Sequence, residues 1–298
     1  MRATSLVLSL SAFATLAGGA GAQTPPDVLS GGALGPHDEG YASPHDAFVT
    51  VGGKQGDQLP VTATSALACG GHTRQIRLNA VAARDATGAF TVARAYTSDG
   101  GRLRARVTLT GRTLGDEAVG ALTATGTLRE PGRRAAIECA KTTVDWRAHR
   151  VGTAAAATGA VARDALLVGV TTGADKHAPV SPILLRTSAD GRSLPRAKWR
   201  VAVACDRTRD DDLAFAFRPI KLSATGRFVA DVHAVDPHDD TTWDLSVRFG
   251  GHVGADGAAG YLRVVERAER GGRIVNRCDT GRLRWSALVT PPAAPAAR

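Results

Sequence analysis

Hydrophobic and polar residues alternate with a period of two along much of this chain. Arg102-Leu103-Arg104-Ala105-Arg106-Val107 is one such run, and that period puts the apolar residues on one face of a half-buried strand. Trp199, Val201, Val203 and Cys205 share a face in a second run, and Phe228, Ala230, Val232 and Ala234 in a third. Trp243, Leu245, Val247 and Phe249 form a fourth, and Leu283, Trp285 and Ala287 a fifth. Gly, Asp and Thr clusters interrupt these runs about every ten residues, and helical periodicity is weak throughout. The pattern predicts an all-β chain of two tandem antiparallel β-sandwich domains, Ig-like or jelly-roll-like.

The two domains read as copies of one unit. Cys139 is followed by Trp146 and Ala148, and Cys278 by Trp285 and Ala287. Ala86-Thr87-Gly88-Ala89-Phe90 matches Ala224-Thr225-Gly226-Arg227-Phe228, and Gly126-Thr127-Leu128-Arg129 matches Gly260-Tyr261-Leu262-Arg263. These anchors are collinear, at offsets of 139, 138 and 134 residues. Each copy also holds one of two cysteine pairs, 70 and 73 residues apart, among Cys69, Cys139, Cys205 and Cys278. Four cysteines allow three connectivities, and the within-half pairing is the one adopted. A loop of that length constrains the unfolded chain by about 4 kcal/mol. A four-cysteine metal site is the alternative, though it lacks any C-x2-C spacing.

The expected boundaries are a signal peptide over 1–22, a flexible Gly/Pro-rich lead-in over 23–40, and domain 1 over 41–150. A linker over 151–162, domain 2 over 163–289 and a Pro/Ala-rich tail over 290–298 complete the chain. The order A-T-G-x-F, G-x-L-R and C-D-T-G-x-x-x-W-S-A, the last from Cys278 to Ala287, resembles a secreted bacterial β-sandwich repeat with a Cys…Cys-x6-Trp-x-Ala pattern. That group has no established activity, so the resemblance implies fold and compartment alone. The first copy departs from it at Ala140-Lys141-Thr142, where the second has Asp279-Thr280-Gly281.

Export follows from the N-terminus. Met1-Arg2 precedes an apolar stretch from Leu6 to Leu16 and small residues ending Ala20-Gly21-Ala22, the layout of a secretory leader cleaved before Gln23. The expected location is therefore extracellular, with no transmembrane segment after cleavage. Paired cysteines fit that compartment. The 298 residues are 43% hydrophobic and 22% charged, which supports packed cores and excludes a disordered or collagen-like chain.

Catalytic motifs are missing: no G-x-S-x-G elbow, H-E-x-x-H or phosphate-binding loop occurs. No catalytic site and no cofactor are expected. Three Pro-His-Asp tripeptides centre on His37, His45 and His238; they read as turns with solvated histidines, although His beside Asp also suits a metal. Asp206, Asp210, Asp211 and Asp212 are candidate ligands for a weak Ca²⁺ site, because clustered loop carboxylates suit an oxygen-seeking cation. A second acidic cluster, Asp236, Asp239 and Asp240, is similar. Trp199 and Trp243 are candidate sugar-stacking platforms, but each shares a face with core residues.

Charge adds one further reading. Lys+Arg number 37 against 28 Asp+Glu, for a net +9. Arg102, Arg104 and Arg106 share one strand face, and Arg282 and Arg284 another. Such ladders suit carboxylate or phosphate groups on a polyanion. Aromatics do not interleave with them, which disfavours nucleic acid. The expected function is thus non-enzymatic, a binding or surface-associated protein whose partner is extracellular polysaccharide or a cell-envelope polyanion. A secreted carbohydrate-active hydrolase or lyase is the alternative, and a structural or protein-partner-binding module is a third.

Overall fold

The computed structural model describes residues 28–35, 43–52, 58–132, 135–150, 159–172, 181–206, 211–217, 219–238 and 240–290. The expected signal peptide, much of the expected linker and nearly all of the expected tail lie outside them. The chain is all-β in two halves, each an antiparallel sheet around its own core.

The first half comprises β1 (Leu29–Ala33), β2 (Ala47–Val51), β3 (Gln58–Cys69), β4 (His72–Ala83), β5 (Ala89–Ser98), β6 (Leu103–Leu114), β7 (Glu117–Leu128), β8 (Ile137–Glu138) and β9 (Thr142–Arg150). The second comprises β10 (Leu166–Thr172), β11 (Ser181–Arg186), β12 (Ser193–Leu194), β13 (Arg196–Cys205), β14 (Asp211–Phe217), β15 (Ile220–Lys221), β16 (Arg227–His238), β17 (Thr241–Val253), β18 (Gly257–Arg270), β19 (Arg273–Asp279) and β20 (Leu283–Val289). Strand order is β4-β3-β2-β1-β9-β7-β6-β5 in one and β14-β13-β11-β10-β20-β18-β17-β16 in the other. The second follows the first strand for strand, while β12 and β15 form an extra two-stranded sheet.

Both sheets curl until they close. β8 pairs with β7 and leads directly into Cys139, which lies opposite Cys69 at the end of β3. In the second half β19 pairs with both β18 and β13, bringing Cys278 opposite Cys205. Disulfides join Cys69 to Cys139 and Cys205 to Cys278, with Cα separations of 4.1 and 4.0 Å. Each bond thus sits at the seam of its ring. The ATG turns also correspond: Thr113 N donates to Gly88 O and Val253 N to Gly226 O, both at 3.0 Å.

Alternation places the cores as expected. Leu103, Ala105, Val107 and Leu109 of β6 point inward, while Arg104 and Arg106 are exposed. Trp146 and Trp285 are buried, each beside a phenylalanine, with Phe90–Trp146 centroids 6.3 Å apart and Phe228–Trp285 centroids 6.2 Å apart. A pair of facing glycines supports each indole. Gly111 lies opposite Gly120, and Gly251 opposite Gly260. A Cβ on Gly120 or Gly260 would stand 2.0 Å from a carbonyl oxygen and 2.8 Å from the indole.

Three sequence expectations need correction. The register makes Gly120 the counterpart of Gly260, since each lies opposite its tryptophan; Gly126 lies opposite Ala105. The lead-in contains β1, whose Leu29-Ser30-Gly31-Gly32-Ala33 reads as a loop because it is glycine-rich. The glycines are there because neighbouring backbone comes very close: a Cβ on Gly31 would lie 2.1 Å from Arg147 O. Finally, Asp211 and Asp212 belong to β14, opposite Val203 and Ala202, and not to a loop.

The halves meet through β1 and β2 against β10 and β11. Phe48 packs with Val168 and Leu184, and Ser30 Oγ donates to Gly169 O at 3.2 Å. Beside them Asp46 is buried with Arg196 and Lys198. Its carboxylate accepts Arg196 Nη2 at 3.1 and 3.2 Å, Gly35 N–H at 2.7 Å, and Lys198 Nζ.

Candidate functional site: an arginine-rich sheet face

Residues pointing outward from β16 to β20 form a polar lattice set by register. Asp231 stands opposite Arg248, and Arg248 opposite Arg263. His233, Ser246, Val265 and Asp279 make the next row, followed by Val235, Asp244, Arg267 and Arg277. On the other side Tyr261 lies opposite Arg284, with the Arg282 guanidinium 4.7 Å from its ring centroid. Neighbouring rows on one face are spaced about 7 Å along the strand and neighbouring strands about 4.8 Å apart. A depression of 510 Å³ opens in this lattice, lined by Arg248, Arg263, Arg267 and Arg277 with Asp231, His233 and Asp244.

Its charges are only partly matched. Arg263 forms two hydrogen bonds with Asp279, at 2.8 and 3.2 Å, and Arg277 approaches the same carboxylate at 3.8 Å. The hydrogen bonds from Arg263 hold the Asp279 carboxyl below its ordinary range, against partial burial. Asp231 lies 3.5 Å from Arg248, and His233 Nε2 lies 2.8 Å from Asp244 Oδ1. The Arg267 side chain makes no hydrogen bond or ion pair among the described residues. Arg248, Arg263, Arg267, Arg277, Arg282 and Arg284 therefore share a face with Asp231, Asp244 and Asp279, an arrangement able to receive carboxylate, sulfate or phosphate groups.

The corresponding face of the first half is built of short side chains. Thr108 lies opposite Thr123, and Thr123 opposite Thr143, with hydroxyls 3.4 Å apart in the second pair. Arg104 and Arg106 rise from this face opposite Thr127 and Thr125, and Arg102 is exposed in the turn before β6. This ladder has fewer arginines than the one in the second half.

The other sequence candidates are dispersed. Trp199 is 0% exposed and stacks 4.5 Å from Phe249 inside the core, so it offers no face to a sugar. Trp243 is half-buried near the tip of the β16–β17 hairpin, where the core thins and Val232 is 39% exposed. Asp206 is exposed, and Asp210 lies outside the described residues. Among the described residues no three His, Cys, Asp or Glu side chains gather to hold a metal ion. His37 is also outside them, and His45 is exposed beside the buried Asp46.

Sequence reading missed Arg248, Arg263, Arg267 and Arg277 as a group. Pairing the runs around the turn at 254–256 brings Arg248 opposite Arg263, a cross-strand relation invisible within either run alone. It also missed Asp46, Arg196 and Lys198. Arg196 and Lys198 occupy the outward positions of β13 and look solvated until the first half covers them.

No family model matches the chain, and no curated protein matches it. Among solved structures, it is similar to a candidate AttH from Nitrosomonas europaea, at 9% identity and a TM-score of 0.20 over 88% of this chain and 91% of that one. It is also similar to CghA in complex with Sch210972, at 11% identity and a TM-score of 0.17 over 90% and 88% of the two chains. Likenesses this weak carry no argument about activity.

Proposed function

We propose that this is an exported, non-enzymatic binding protein that holds an anionic polysaccharide of the cell envelope or surroundings across the β16–β20 face. The observation that carries the reading is the arginine lattice, above all Arg267, whose side chain has no partner among the described residues, beside Arg277 and the Arg248–Arg263 pair. Guanidinium groups at strand spacing suit the repeated anionic groups of an extended polymer better than one small ion. Export is supported by the leader-like N-terminus and the two disulfides. The shared strand order supports reading the halves as copies of one unit.

The test is binding of residues 23–298 to immobilised polygalacturonate and to heparin, at low and high salt. Wild type is expected to bind at low salt and weaken as salt rises. Arg248→Glu/Arg267→Glu/Arg277→Glu should reduce binding at least about tenfold, through several lost charge-assisted contacts. Unchanged binding by that variant overturns the proposal. A lyase or hydrolase acting on the same polymer is the second reading, favoured by the His233–Asp244 pair within the depression. Chain shortening of polygalacturonate by the protein, abolished in His233→Ala, would establish it instead.

A further inference from the structure

The two rings have corresponding ends, and the chain treats those ends differently. In the second half the end beside β10 is filled. Val161 packs onto the core with Leu222, while Leu194 and Ile220 of the extra β12–β15 sheet are buried there. Backbone bonds from Ala162 N to Gly254 O and from Asp164 N to Ser188 O, both 3.1 Å, hold that segment across the opening.

The matching end of the first half is a cavity of 710 Å³. Its volume falls within the range of small-molecule sites, which favour the mouths of β-barrels. Leu29, Val51 and Leu59 form an apolar floor, and the turns after β4 and β6 supply a polar rim. The rim acids are already engaged. Asp85 Oδ1 accepts Thr87 N–H at 2.8 Å, Thr87 Oγ1–H at 2.7 Å and Ala89 N–H at 2.9 Å. Asp116 lies 2.9 Å from Arg150 Nε. Arg84 also lines the cavity, half-buried, and its side chain makes no hydrogen bond or ion pair among the described residues.

We infer that the open mouth of the first half binds a small amphipathic carboxylate, its apolar body on Leu29, Val51 and Leu59 and its carboxylate on Arg84. The site lies in the other half from the arginine lattice and does not depend on it.

Calorimetric titration of residues 23–298 with octanoate and with octanol tests the inference. Octanoate should bind once per chain, and octanol at least about tenfold more weakly, because the charge-assisted contact is lost. Arg84→Ala should bring octanoate down to the octanol level without altering octanol binding. Val51→Trp should remove both by filling the floor, whereas Arg267→Glu should change neither. Absence of saturable octanoate binding overturns the inference, as does octanoate binding that is indifferent to Arg84→Ala. Arg84→Ala, at a half-buried position on the rim, keeps the inference testable if Val51→Trp does not fold.

Discussion

Replacing Asp46 with alanine should loosen the contact between the halves. The carboxylate is 3% exposed and faces two buried cations, Arg196 at 6% and Lys198 at 1%. Removing it strands both charges away from water, and breaking a buried pair in this way costs about 3–5 kcal/mol. For a chain of this size each kcal/mol lowers the melting temperature by roughly 2–4 °C, so the expected fall is roughly 6–20 °C. Differential scanning calorimetry reads the effect directly, and each half retains its own core, so the endotherm should also broaden or split. The loss belongs to uncompensated charge and not to the missing side chain. Asp46→Leu/Arg196→Met/Lys198→Met, which removes all three charges together, should therefore recover most of the stability. An Asp46→Ala protein melting within about 2 °C of wild type, in one sharp transition, would refute this reasoning.

Two further predictions concern the cores. Gly120→Ala and Gly260→Ala each push a methyl group into a carbonyl and an indole edge, and each should cost about 1–3 kcal/mol, read as a lower urea midpoint; an unchanged midpoint would mean that the tryptophans do not need their glycine floors. His149 is buried beside Glu117 at 3.4 Å, and its pKa is lowered chiefly by desolvation and further by Arg147, with Glu117 opposing. The unfolded chain therefore takes up a proton first as pH falls through the ordinary histidine value, so stability drops below about pH 6.5. His149→Gln should flatten that slope in urea unfolding at pH 7 and 5.5, and an unchanged slope would count against it.

Much of the fold was legible because alternation is a local signal. Trp199, Val201 and Val203 are buried along β13 as their spacing requires, and the cysteines pair within each half as their distribution suggests. Errors arose where composition and structure part company. Gly31 and Gly32 resemble loop residues yet serve a crowded strand crossing. Gly126 has the right neighbours in sequence, but register gives its role to Gly120. The arginine lattice was half visible: Arg282 and Arg284 are close in sequence, whereas Arg248 and Arg263 meet only across a hairpin. Asp46 was obscured for a different reason. A Pro-His-Asp turn draws attention to its histidine, and nothing local announces that a surface 150 residues away will cover the carboxylate.

Each cysteine pair sits where few backbone hydrogen bonds join the strands it links. β2 accompanies β3 only as far as Thr64, and beyond it the first seam consists of Cys69–Cys139 with Ala140 N donating to Ala68 O at 2.8 Å and Thr142 Oγ1 to Ala66 O at 3.3 Å. The second seam has two residue pairs. Were a reduced chain to open there, the ends of β3 and β13 would each lose their partner on one side, and unpaired strand edges are templates for pairing with other chains. The covalent links thus guard against aggregation as well as bracing the fold: they keep thinly paired backbone from recruiting a neighbour.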